Sequence, residues 1–247
     1  MSHRALRGSR FVLLFSQMIL LCSCAALVQH HPSQVLNGVK AGKPASVVVA
    51  DIGMKPDMQR NIGCGVSYWL PNWFYLADPD RKPIFISHYI AKSFSEDLGL
   101  IGYQAKLSAA NEQTGKAIST EEAIQQAKSA NVDYLVTTKV TAARTNYWGF
   151  LLIPFFQPVW TKLGMDVKVY DFRNNATVQD FSTYHKETEW YFAKVTILDA
   201  IFDAAIFGRH WHRHAWGETV IPKGIALTAI KFNDILNAKP VASVTAK

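Results

Sequence analysis

The chain has 247 residues, with 26 basic and 19 acidic side chains, a formal net charge of +7 and a pI near 9.3. Three of the basic residues (Arg4, Arg7 and Arg10) and none of the acidic ones fall within positions 1–23, so the remainder carries 23 basic against 19 acidic residues, a net +4. A balance this slight gives no ground for a nucleic-acid partner, and the 224 residues after position 23 are enough for one domain with a full core.

The first residues read as an address. Arg4, Arg7 and Arg10 precede FVLLFSQMILL, an apolar run of about a dozen residues that is too short for a membrane span of roughly 20. The run ends in Leu21-Cys22-Ser23-Cys24, followed by Ala25, which resembles the bacterial lipobox. The resemblance implies a lipoprotein signal peptide over 1–23, cleavage before Cys24 and acylation of Cys24, the new N-terminus. Ala25 in place of aspartate implies the outer membrane, with the domain on its periplasmic face. An ordinary signal peptide with an incidental cysteine is the alternative. Two or three acyl chains, at about 0.8 kcal/mol per buried methylene, suffice as anchor. Cys64 is then the one thiol left, which excludes an intramolecular disulfide and suggests burial.

Residues 24–45 are expected to form the acylated N-terminus and a flexible tether, since they show no hydrophobic period and contain Pro, Gly, Ser and Gln. A single domain is expected over 46–240. It opens with the β-branched run ASVVVADIG, a buried strand, and an irregular segment follows to about Pro83. SHYIAKSFSEDLGL places Ile90, Phe94, Leu98 and Ile101 three or four apart, a helix with one buried stripe that Gly102 stops. YQAKLSA resumes as a strand. Ser119 or Thr120 caps a second helix, EEAIQQAKSAN, whose C-cap is Asn131. VDYLVTTKVTAART is a long strand, and LGMDVKVYDFRNNATVQDFSTYHKETEW supplies two more around the turn Arg173-Asn174-Asn175. Helical patterns near 192–210 and 224–238 complete the chain.

The order β-α-β-α-β-β-β-α predicts an α/β (α+β) sandwich: a mixed sheet with helices packed on it and a long aromatic hairpin loop. Ala123, Ala127 and Ala130 lead into the step Asn131-Val132-Asp133-Tyr134. Together with VVVADIG and a helix ending at Leu98-Gly99-Leu100-Ile101-Gly102-Tyr103, this resembles the N-terminal domain of TolB and the curli-secretion lipoprotein family. The resemblance covers about half of the chain after position 23 and implies a fold and a cell-envelope setting, without a chemistry.

Enzyme motifs do not stand out. There is no Walker-type loop, GxSxG or HExxH, and the expectation is a non-enzyme without a cofactor. Arg60-Asn61-Ile62-Gly63-Cys64-Gly65 and Asp78-Pro79-Asp80-Arg81 read as turns. In Arg209-His210-Trp211-His212-Arg213-His214, His210 and His214 have the helical spacing a divalent metal can bridge. The interleaved arginines fit a helix terminus or an anionic-surface contact at least as well, with Trp211 and Trp216 at headgroup level. No metal is assigned.

NYWGFLLIPFFQPVW (146–160) has six aromatics, two prolines and no charge. As a helix it would rise about 22 Å, short of a bilayer core, and its prolines would break it. It is expected to be a hairpin tip. VSYWLPNWFYL (66–76) has a similar composition. Either both tracts cover the core, or they make one exposed docking face anchored by Trp69, Trp73, Trp148, Phe155 and Phe156. The second option gives a lipid-anchored envelope protein that acts as a binding or assembly module, meeting an envelope protein partner or the membrane. An auxiliary lipoprotein handling lipid or another apolar ligand, and a metal-dependent enzyme or carrier using His210 and His214, are the alternatives.

Overall fold

A computed structural model of the chain describes residues 30–55, 76–77, 83–84, 86–147, 156–174, 177–192 and 217–238. Its strands are β1 Ser46–Met54, β2 Leu76–Ala77, β3 Pro83–Ile84, β4 Gln104–Leu107, β5 Tyr134–Tyr147, β6 Phe156–Asp171 and β7 Thr177–Phe192. Its helices are α1 Ile86–Leu100, α2 Ala109–Thr114, α3 Thr120–Ser129 and α4 Val220–Asn237. The expected order appears in β1, α1, β4, α3, β5, β6, β7 and α4. The helical pattern near 192–210 lies outside the described residues, apart from Phe192, which ends β7.

Five strands form one mixed sheet in the order β4-β1-β5-β6-β7, and β2 pairs with β3 separately. β1 runs parallel to both β4 and β5, whereas β5, β6 and β7 are an antiparallel meander. β1 is central, so both of its faces are buried, which is why Val47, Val48, Val49 and Ala50 read as a continuous apolar run rather than an alternation. On one face α1 and α4 pack against Val47, Val49, Val136, Leu163, Met165, Val167 and Val169. On the other, α3 sets Ala123 and Ala127 against Val48, Ala50 and Leu135. Small residues let α3 approach closely; Ala130, the third of the series, is exposed.

The local signals resolve as follows. Ser119, rather than Thr120, caps α3 by accepting from Glu122 N–H, and its C-cap is Ala130 rather than Asn131, which takes the left-handed conformation one residue later (φ 49°). At the step Asn131-Val132-Asp133-Tyr134, Ser46 donates its backbone N–H (2.7 Å) and its hydroxyl (2.9 Å) to Asp133 Oδ2, tying the start of β1 to the start of β5. These bonds hold the Asp133 carboxyl below its ordinary value, against a smaller opposing effect of burial. Arg173, in the turn after β6, lies over the Tyr134 ring (4.4 Å).

Three expectations need correction. The segment 30–45 is not a free tether: Leu36 is buried, Val39 and Ala41 pack on the core, and Ala41 N–H donates to the Ile101 carbonyl (2.7 Å). Asn233 likewise donates to the Lys40 carbonyl (3.2 Å), so these residues form a strap against α1 and α4. Nor does α1 bury one stripe: Ser87, His88, Tyr89, Ser93, Ser95 and Asp97 are buried as well, leaving only Lys92, Glu96, Gly99 and Leu100 exposed. Finally, β6 begins at Phe156, inside the stretch taken for loop. Pro158 is tolerated there because it lies beyond the last β5 pair, Tyr147 with Val159, where among the described residues β6 has a neighbour on one side only.

Candidate functional site: the aromatic end of the β-ribbon

Antiparallel pairing carries β5, β6 and β7 outward as a three-stranded ribbon. β5 and β6 pair from Tyr134 with Asp171 to Tyr147 with Val159, and β6 and β7 from Asp171 with Thr177 to Phe156 with Phe192. The aromatic stretch therefore joins two paired strands, as a hairpin. Phe156 is the first residue of β6. Trp148 and Phe155 lie outside the described residues, as do Trp69, Trp73, Cys24, Cys64 and the histidines His210 and His214. Of the tract 66–76 only Leu76 is described, paired with Ile84, so no shared face between the two tracts is placed.

The register adds residues that the sequence reading passed over. Trp190, Tyr191 and Phe192 stand opposite Pro158, Gln157 and Phe156. One end of the ribbon thus collects Tyr147, Phe156, Trp160, Trp190, Tyr191 and Phe192 from three strands. The signal is present in EWYF (189–192), which the strand pattern ending at Trp190 and the helical pattern near 192–210 divide between two elements.

Just inside this end, on the face away from α1 and α4, Arg144 stands opposite Lys162, and Lys162 opposite Lys186. The face follows from alternation: Leu163 and His185 abut Gly224 of α4, so Lys162 and Lys186 point to the other side. Among the described residues neither lysine has an acidic partner in contact. Lys186 Nζ lies 6.0 Å from the Trp160 ring centroid. Farther along this face acids accompany the cations: Lys168 pairs with Asp180 (3.4 Å), and Asp166 accepts a hydrogen bond from the Ser182 hydroxyl (2.7 Å). Between the two regions Tyr184 is 63% exposed.

The helix face of the same end holds an ion pair. Lys223 of α4 bonds Glu187, and His185 Nε2 lies 3.2 Å from Glu187. Burial holds His185 below the usual histidine value, although Glu187 pulls the other way. As α4 descends from 231 to 228 to 223, its β7 partners rise from Ser182 to Thr183 to Glu187, so its N-terminal end runs toward the aromatic end of the ribbon. His31 N–H donates to the carbonyl of Gly217, the residue leading into α4 (2.9 Å). Next to it His30 Nε2 meets Asp97 Oδ1 at 2.9 Å, with both side chains nearly inaccessible. Burial raises the Asp97 carboxyl, and His30 offsets part of that.

A second polar cluster sits at the carboxyl end of β1. Gly53 N–H (2.7 Å) and Ser87 Oγ–H (2.9 Å) donate to the buried Asp51 carboxylate. Asn111 accepts from Asp51 N–H (2.9 Å) and donates to the carbonyls of Asp51 (3.1 Å) and Lys116 (2.7 Å). Each of these groups is engaged with a neighbour, and the arrangement locks β1 to α1 and α2. Among the described residues, no group of three His, Cys, Asp or Glu could hold a metal ion, and no helix is long and apolar enough to cross a membrane.

No family model matches the chain, and no curated protein matches it. Among solved structures it is similar to PelC from Paraburkholderia phytofirmans, solved as a dodecamer (12% identity, 76% of this chain and 91% of that one, TM-score 0.37). It is also similar to lipoprotein GNA1162 from Neisseria meningitidis (14%, 68% and 99%, TM-score 0.36) and to rare lipoprotein B from Shewanella oneidensis (8%, 76% and 98%, TM-score 0.31). Two of these three are lipoproteins by description. At such TM-scores the likenesses carry no function over to this chain.

Proposed function

We propose that the chain is a lipid-anchored protein of the bacterial envelope, attached through Cys24, that works as a non-enzymatic binding or assembly module and docks through the aromatic end of its β-ribbon. The observation that carries the docking is the register, which gathers aromatic residues from β5, β6 and β7 at one end of the sheet. Trp and Tyr offer large contact area with a polar edge, the chemistry of interfaces. The anchor rests on the sequence Leu21-Cys22-Ser23-Cys24, and the outer membrane on Ala25.

Two variants test the two parts. Cys24→Ala is expected to remain unprocessed or soluble; recovery of that variant in outer membranes after a carbonate wash would end the lipoprotein reading. Trp148→Ala with Trp190→Ala is expected to lower membrane or partner affinity at least about tenfold per aromatic with little change in Tm. A sharp fall in Tm, without a binding defect where the variant is folded, would mean that these rings cover the core.

A further inference from the structure

The row in which Lys162 stands opposite Lys186 is costly as it stands, because like charges opposite one another on neighbouring strands are unfavourable. We infer that this row and the aromatic end beside it form one docking surface for an anionic phospholipid bilayer, the same membrane that holds the acyl chains. The inference rests on the anchored reading above and names the partner of that end.

Three observations converge on it. First, spacing along β6 puts Trp160 about 7 Å beyond Lys162, and Lys186 Nζ lies 6.0 Å from that ring, so the cations stand just behind an aromatic residue. That is the layering of a membrane boundary, with aromatic rings at the headgroup region and lysines reaching phosphates. Second, the charge is one-sided. Among the described side chains, Glu187 faces α4 and is already bonded to Lys223, and Glu218 belongs to the approach to α4. Among the described side chains the opposite face, from the Tyr184 row to the Trp160 row, carries Lys162 and Lys186 and no acid. Third, the anchor is short. With 30–45 packed as a strap, only six Cα steps separate Cys24 from His30, at most about 22 Å. His31 is bonded to Gly217, at the end of α4 that runs toward the ribbon's aromatic end. A bilayer holding Cys24 is therefore within reach of that end.

The test uses the mature protein reconstituted into vesicles of zwitterionic phospholipid, alone or mixed equally with anionic phospholipid. Amine modification is read by mass spectrometry, which also reports acylation of Cys24. Lys162 and Lys186 are expected to react at least about fivefold more slowly on anionic vesicles than on zwitterionic ones, while the ion-paired Lys168 changes little; high salt should abolish the protection. Lys162→Glu with Lys186→Glu should remove the preference for anionic vesicles without changing Tm. Equal reactivity on both vesicles in an acylated protein overturns this inference and leaves the anchor standing. Protection in a chain without acyl groups supports the surface and removes the anchor. Equal protection by soluble polyphosphate without vesicles overturns the membrane as partner.

Discussion

Ser46 and Asp133 lie 87 positions apart and share three hydrogen bonds, counting the one Asp133 N–H donates back to Ser46 Oγ (2.9 Å). Asp133→Ala would leave the Ser46 backbone N–H without its acceptor, and we expect a loss of about 1–3 kcal/mol in denaturant unfolding. The pH dependence has a definite sign. A carboxyl held below its ordinary value stabilises fully above the unfolded pKa and loses that contribution as pH falls through the folded one. The gap between wild type and Asp133→Ala should therefore be widest near neutrality and close in acid. Asp97 acts in the opposite sense: burial raises its carboxyl, so its contribution is greatest in acid and fades as pH climbs through the raised value. The step Asn131-Val132-Asp133-Tyr134 was visible in the sequence. Its reason was not, because the partner of Asp133 is on a strand that only the parallel pairing brings alongside.

Among the elements, the strap and α4 give the sharpest tests. Leu36→Ala is expected to cost about 2–4 kcal/mol, the price of a cavity in packed surroundings, whereas the same change in a free tether would be silent. In α4, Gly224→Ala would gain about 1 kcal/mol of helix propensity. The added Cβ, however, would lie 3.0 Å from Leu163 Cδ2 and 3.3 Å from His185 Cβ. Crowding of a buried leucine typically costs about 1–3 kcal/mol, so the variant should melt several degrees lower. Helices and strands with a strong period were legible in advance. The strap was not, since Leu36, Val39 and Ala41 sit among Gly, Pro and Lys without periodicity, and α2 is too short to show one. The cationic row was equally hidden, because Arg144, Lys162 and Lys186 become neighbours only through register. β7 is the long outer strand of the sheet, and Lys231 Nζ donates to its Ser182 carbonyl (2.9 Å), placing a charge where another strand could otherwise add.

For the molecule as a whole, the sheet order β4-β1-β5-β6-β7 was not readable from the element sequence, although the α/β class was. That order has a kinetic consequence. β5, β6 and β7 pair with strands close by in the sequence, but β1 must wait for β5 across most of a hundred residues, and closing such a loop is slow. The meander should assemble in the rate-limiting step of refolding, with β1 inserted between β4 and β5 afterwards. Val167 and Val49 are both fully buried, one in the meander and one in the late strand. Stopped-flow measurements on Val167→Ala should show mainly slower folding, and on Val49→Ala mainly faster unfolding. A chain built this way holds its centre open until last, with the edges of β4 and β5 waiting for the strand that was made first.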